Sequence, residues 1–301
     1  MEPANPSRAR RTKWAQFGML YLVALVLILI PHTASWAITG FLEARAAANA
    51  AGNAATRVES AQDALVHGRL DEAIANADEA LLGIPASERA RALKANALFE
   101  RYWENKADTD LAAGRQLATA LSASKESAAS VARGNLALIE NNAQRAVTLL
   151  SEAVKASPDD PYAHHQLGFA LNQSNRPDQA LTHFRRALEL APNMAWVQNN
   201  LTETLTRLER CEENVPGWKP EFAAECSERI GIARYKAQRF DEARRLFERA
   251  ATLAPGNGLF QANYAAVLLQ SGDRDRAVEH ARRAQTLGVK DHPIFGPLGI
   301  Q

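Results

Sequence analysis

The chain opens on one long apolar run and then settles into a recurring alternation of apolar and polar positions. No Asp, Glu, Lys or Arg occurs between Trp14 and Leu42, and Phe17 to Ile30 is almost pure hydrocarbon. Such a stretch is built to meet lipid. Two readings of it stand. An uncleaved anchor would occupy 14–38, with Trp14 and Trp36 at the two interfaces and a helix rise of roughly 33 Å between them. A signal peptide would use Arg8 to Lys13 as its positive region and Ser35 and Ala37 as the small residues before a cut. Both predict one topology: the basic segment 1–13 stays in the cytosol, and everything after residue 37 crosses the membrane. That describes a single-pass inner-membrane protein whose remaining domain is periplasmic. An Ala-rich stretch, 39–53, follows as a helical spacer.

Beyond the spacer the apolar positions recur with a helical period, and the prolines give the length of the repeat. Pro158 and Pro192 are 34 residues apart, while Pro85 to Pro158 and Pro192 to Pro255 span 73 and 63, twice that length plus or minus five. Stacking at this period gives seven units: Ala54–Ser87, Glu88–Glu126 with five extra residues, Ser127–Asp160, Pro161–Met194, Ala195–Ala223 with five fewer, Ala224–Asn257 and Gly258–Asp291. Position 8 of the unit is small throughout, as Ala61, Ala95, Gly134, Gly168, Thr202, Gly231 and Ala265. Position 20 is Ala in six units, as Ala73, Ala112, Ala146, Ala180, Ala243 and Ala277.

The fullest unit, Pro161 to Met194, carries Leu167, Gly168, Leu171, Ala180, Phe184, Ala187 and Pro192 at positions 7, 8, 11, 20, 24, 27 and 32, and the unit from Ala224 repeats it with Ile230, Gly231, Ala243, Phe247, Ala250 and Pro255. In this the chain resembles the tetratricopeptide repeat family. The resemblance implies an all-α fold, a right-handed superhelix of six to seven helix pairs, one of them irregular, following the N-terminal transmembrane helix. Small residues at positions 8, 20 and 27 let the two helices of a pair cross closely, and positions 7, 11 and 24 fill the seam between pairs. Asp71, Asp178, Asp241, Asp273 and Asp275 fall where second helices open, where a carboxylate can accept orphan amide hydrogens.

The fifth unit breaks the pattern. Pro216, Gly217 and Pro220 cannot continue a second helix, so 209–223 reads as an irregular loop between an array at 54–208 and another at 224–291, with 292–301 as a tail. The tail either caps the last pair or inserts into a neighbouring copy, which leaves self-association open. Cys211 and Cys226, the only cysteines, flank the loop. If the domain is exported they are placed for a disulfide; the alternative is two unpaired small hydrophobes.

Composition narrows the function classes. Fifty-nine alanines in 301 residues favour helices, and 47% hydrophobic with 23% charged content excludes disorder. The net charge of +1 comes from the basic N-terminus, so the remainder is slightly acidic and no nucleic-acid partner is expected. No metal or cofactor is expected either. None of His32, His67, His164, His165, His183, His280 and His292 sits in a two-His helical motif or beside a nucleophile signature, and catalysis is not expected. His164 falls at a packing position.

Binding is the remaining class. By resemblance, positions 2, 5, 6, 9, 12 and 13 of each first helix line a concave groove. These are Tyr162, His165, Gln166, Phe169, Asn172 and Gln173, then Trp196, Asn199, Asn200, Glu203 and Arg207, then Glu228, Arg229, Tyr235 and Lys236. Asn263 shares position 6 with Asn200, and Asn96 shares position 9 with Asn135. Aromatic rings beside amide and guanidinium donors suit a protein or peptide partner, although the same residues also serve as plain helix surface. The Lys, Asn, Asn, Lys, Arg set with which chaperone-binding relatives hold a carboxylate is absent. The leading expectation is a membrane-tethered scaffold that recruits or assembles partner proteins. A periplasmic assembly chaperone resembling the tetratricopeptide subunits of cytochrome c maturation, or a cytosol-facing adaptor for envelope biogenesis, are the alternatives.

Overall fold

The computed structural model describes residues 32–300, with side chains from Phe41 onward. The segment 1–13 and most of the expected anchor, 14–38, lie outside the described residues; among these, no helix is long and apolar enough to cross a membrane. The chain divides into two compact units, Met1–Ala55 and Thr56–Gln301. In the first, the Ala-rich spacer is helical and belongs to α1 (His32–Val66), a single helix of 35 residues.

The second unit is an all-helical stack of antiparallel pairs with no strand among the described residues. After the end of α1 come α2 (Leu70–Gly83), α3 (Glu88–Asn105), α4 (Asp108–Ala120), α5 (Ser127–Ile139), α6 (Ala143–Ala156), α7 (Pro161–Gln173), α8 (Pro177–Leu190) and α9 (Ala195–Arg207). Then follow α10 (Pro220–Lys236), α11 (Phe240–Leu253), α12 (Gly258–Gln270), α13 (Arg274–Thr286) and the short α14 (Phe295–Leu298).

Each crossing is as tight as the small residues foretell. A Cβ added at Gly168 would stand 2.6 Å from the Phe184 ring, at Gly231 2.7 Å from Phe247 and at Gly134 2.6 Å from Leu150. None of these separations is tolerable, so position 8 excludes bulk because position 24 already fills the space. In six units the first helix ends through one left-handed residue at position 15, namely Gly68, Asn141, Asn175, Glu209, Gln238 and Gly272, while in the lengthened second unit Lys106 takes that conformation. The next amide then reaches back five residues, as Arg176 N to Leu171 O at 2.9 Å and Asp273 N to Leu268 O at 2.9 Å, which is a Schellman closure of the first helix.

Three expectations need correction. Asp71, Asp178 and Asp241 do not cap their helices: Arg69, Arg176 and Arg239 hold the cap positions and make no side-chain cap bond. Only Asp273 accepts an amide there, from Arg276. The others sit within the first turn, where they favour the positive end of the helix dipole; Asp71 and Asp178 pair across units with Arg101 and Arg210. Second, Ala112 is exposed rather than at a crossing. The five extra residues of the second unit lengthen α3 to 18, against 13 for α5, α7, α9 and α12, and Asp110 takes the buried place of position 20. Arg101 neutralises it through paired bonds of 2.8 and 2.7 Å and holds its pKa below the ordinary carboxylate value. Gly114 then stands where Phe184 stands in the fourth unit, and Phe99 reaches over from α3 to fill the gap. Third, the irregular segment ends at 219, because Pro220 opens α10 instead of breaking it.

Cys211 and Cys226 are joined by a disulfide with Cα atoms 5.6 Å apart, which ties the loop to α10. The tail folds onto its own last pair: Ile294, Phe295 and Leu298 are buried with Tyr264, Val267 and Leu268.

Candidate functional site

Polar position 4 side chains tie one unit to the next and are thereby removed from function. His164 Nε2 donates to the Pro158 carbonyl at 3.0 Å, Gln198 Nε2 to Pro192 at 2.9 Å and Gln261 Nε2 to Pro255 at 3.4 Å. With Nε2 as the donor, His164 Nδ1 accepts from His183 at 3.1 Å.

The lengthening of α3 builds the pocket. A first helix of the usual length would stop at Glu100; the added residues carry Trp103 beyond it, across the groove from α7. Glu100, Trp103, His165, Gln166, Phe169, Trp196, Asn199 and Asn200 line a cavity of about 270 Å³. Trp103 meets Phe169 edge to face at 6.4 Å between centroids, and Trp196 stacks on His165 at 6.0 Å. Trp196 also lies over the turn at Gly68, where an added Cβ would come within 3.4 Å of the indole. The Lys106 ammonium lies 4.2 Å from the Trp103 ring centroid.

Glu100 forms the polar part of the wall. Its Oε1 accepts from the Tyr162 hydroxyl at 2.7 Å and from Gln166 Nε2. Burial raises its pKa to about 7, against the lowering effect of those two donors. Tyr162 in turn accepts from Asn135 Nδ2 at 3.0 Å, and the same amide donates to Asn96 Oδ1 at 3.1 Å. Asn96 completes the ladder by donating to the Ala128 carbonyl. Both asparagines of position 9 are thus consumed in holding Tyr162. His165 is buried, its pKa pushed down to about 4 by desolvation, and its Nε2 accepts from Asn200 Nδ2 at 2.8 Å.

The remaining sequence-predicted residues lie elsewhere. Asn172 donates to Thr204 at 2.7 Å, and Arg207 reaches Asn175 and the Asn172 carbonyl. Glu203 and Arg229 are exposed and 3.9 Å apart, with Arg229 held by Glu225 at 2.7 Å. Tyr235 packs edge to face on Phe240 at 5.3 Å and joins the C-terminal core. Asn263 donates to Glu228, whose pKa burial also raises to about 7. Glu100 and Trp103 escape the sequence reading; the only signal for them is the five-residue excess of the second unit.

A wider cleft of about 610 Å³ runs past the openings of α3, α5 and α7, with Glu88, Arg89, Lys125, Asp159 and Asp160 among its lining. Among the described residues no group of three or more His, Cys, Asp or Glu is placed to hold a metal.

Antiparallel helix pairs stacked by a fixed period, closing on a lined concave pocket, define a helical-repeat binding module. Models of the tetratricopeptide repeat match residues 105–161, 137–196 and 234–292, together half of the chain, and the protein belongs to the tetratricopeptide repeat family. That fold is a protein–protein interaction scaffold. Among solved structures, one described as a functional characterization of Pseudomonas aeruginosa pilF is 16% identical with TM-score 0.41, covering 81% of this chain and 95% of its own. MamA from Desulfovibrio magneticus RS-1 is 18% identical with TM-score 0.34, covering 54% and 94%. YrrB, described as having an unusual peptide-binding site, is 18% identical with TM-score 0.36, covering 66% and 96%. Comparison with curated proteins gives no match.

Proposed function

We propose that the protein is a membrane-tethered adaptor that seizes a segment of a partner protein in the pocket between α3, α7 and α9 and thereby recruits or assembles a complex at the membrane. Its apolar run near the N-terminus supplies the tether, and the array stands on the periplasmic side. The observation that carries the binding reading is the aromatic wall of Trp103, Phe169 and Trp196. Trp103 keeps 41% of its surface exposed, which core packing would not leave for so large an apolar ring. The Cys211–Cys226 disulfide supports an oxidising compartment.

A photo-crosslinking amino acid at position 103 of the full-length protein, in its own cells, tests this. The expected result is a discrete adduct that disappears with Phe169→Ala. Absence of any adduct, or an adduct indifferent to Phe169, rejects the pocket as the binding surface. A folded partner in the adduct distinguishes an adaptor from an assembly chaperone, which would hold an unfolded chain. A reporter active only in the periplasm, fused after Gln301, tests topology; an inactive fusion places the array in the cytosol.

A further inference from the structure

Glu100 is a partly buried carboxylate with which, among the described residues, no Lys or Arg pairs. Asp110 offers the contrast: it is buried and is held with two bonds by the guanidinium of Arg101, the residue next to Glu100. Arg101 points to Asp71 and Asp110, and among the described residues no Lys or Arg pairs with Glu100. The groups that face Glu100 do not supply positive charge. On its own helix Glu104 adds a like charge. From α7 come the neutral hydroxyl of Tyr162 and the amide of Gln166, and His165 stays uncharged. From α9 come the amides of Asn199 and Asn200.

The rest of the pocket suits a cation. Indole faces attract ammonium and guanidinium groups, and Trp103 already does so with Lys106 at the rim. A cavity of about 270 Å³ has room for the end of one long side chain. The carboxyl and the aromatic walls are present, Lys106 lies over Trp103 at the rim, and among the described residues no Lys or Arg pairs with Glu100.

We propose that the pocket takes the cationic side chain of a lysine or arginine in the partner's segment, which forms an ion pair with Glu100 between Trp103, Phe169 and Trp196. This rests on the reading of the pocket as the partner-binding surface and names what that surface selects. Because Glu100 holds its proton up to about pH 7, entry of the cation displaces it. Binding therefore strengthens with pH until Glu100 is ionised without help.

The test uses the full chain labelled with fluorotryptophan, its resonances assigned by single Trp→Phe variants. The probes are N-acetyl-arginine amide and N-acetyl-lysine amide, with N-acetyl-methionine amide as the neutral match in length. The cationic probes should shift the Trp103 and Trp196 resonances and leave Trp218 in place, with affinity about tenfold lower at pH 6 than at pH 8. Glu100→Gln should weaken cationic binding at pH 8 by about tenfold and abolish the pH dependence, as one lost charge pair predicts. An unmoved Trp218 resonance shows that the variant is folded. Equal binding of the methionine probe overturns the proposal and leaves the pocket a binding surface; so does wild-type affinity in Glu100→Gln. Failure of the cationic probes to move Trp103 also overturns it. The crosslinking result at position 103 then says separately whether the binding surface stands.

Discussion

Glu100 and Glu228 pose the same electrostatic problem in two parts of the array. Desolvation raises the pKa of both to about 7, both accept from a carboxamide, and neither pairs with an arginine or lysine among the described residues, although Glu228 is buried and Glu100 only partly so. They differ in what covers them. Over Glu228 lies Asn263, whose Oδ1 accepts from His292 Nε2 at 3.2 Å, while His292 Nδ1 accepts from the Ile294 amide. The tail is thus linked to that carboxyl through a relay of hydrogen bonds. Glu100 opens onto an aromatic cavity instead.

The largest effect should come from removing the cover. Truncation before His292 strips Ile294, Phe295 and Leu298 from the last pair, and full burial of such side chains is worth about 1.5–3 kcal/mol each. A loss of about 5 kcal/mol or more is expected, confined to α12 and α13, because repeat arrays are stabilised by nearest neighbours. Amide exchange should accelerate there and stay slow in α7 and α8. Uniform acceleration along the array would contradict this locality.

Next in size are the carboxyls themselves. Each folded-state pKa lies above the unfolded value of 4.5, so the folded state binds the extra proton and stability falls as pH rises from about 4.5 to 7. Glu100→Gln and Glu228→Gln should each match the parent at about pH 4 and exceed it by roughly 2 kcal/mol at about pH 8, less than the full shift because a buried acid relaxes toward water. Denaturant midpoints at the two pH values measure it. His165 acts oppositely. Its pKa is depressed to about 4, so its contribution is present above 6.5 and lost as pH falls toward 4. Glu100→Gln should therefore expose an acid-side decline that the parent partly conceals.

Periodic features were legible in the sequence, and features set by long-range contact were not. Gly168 opposite Phe184 and Gly231 opposite Phe247 could be read because the same residues recur at the same spacing. The turn residue at position 15 went unnoticed, since glycine marks it only at Gly68 and Gly272 while Asn175, Glu209 and Gln238 adopt the same backbone. Ala112 was misplaced because the extra residues of the second unit continue α3 as helix, and no Gly or Pro records where the phase shifts. In the site, the aromatic residues of α7 and α9 were found from their groove positions. Glu100 was missed because a glutamate near a helix end reads as solvated charge; its burial is the work of Tyr162 and Gln166, 62 and 66 residues further along.

The smallest expected effect makes the sharpest contrast between the two regions. Phe295 is 6% exposed beneath the tail, whereas Trp103 is 41% exposed at the open pocket. Phe295→Ala removes a buried ring and should cost about 3 kcal/mol. Trp103→Ala removes a larger side chain, yet part of its surface already faces water, and the ring contacts it loses are with Tyr102, Phe169 and the Lys106 ammonium. An exposed cation–π contact is worth about 0.5–1 kcal/mol, so the denaturation midpoint should move little while the crosslink or probe binding at the pocket is lost. If Trp103→Ala destabilised the fold as much as Phe295→Ala, the indole would be holding α3 against α7, and the open pocket would be a packing defect of the array instead of its point of contact with a partner.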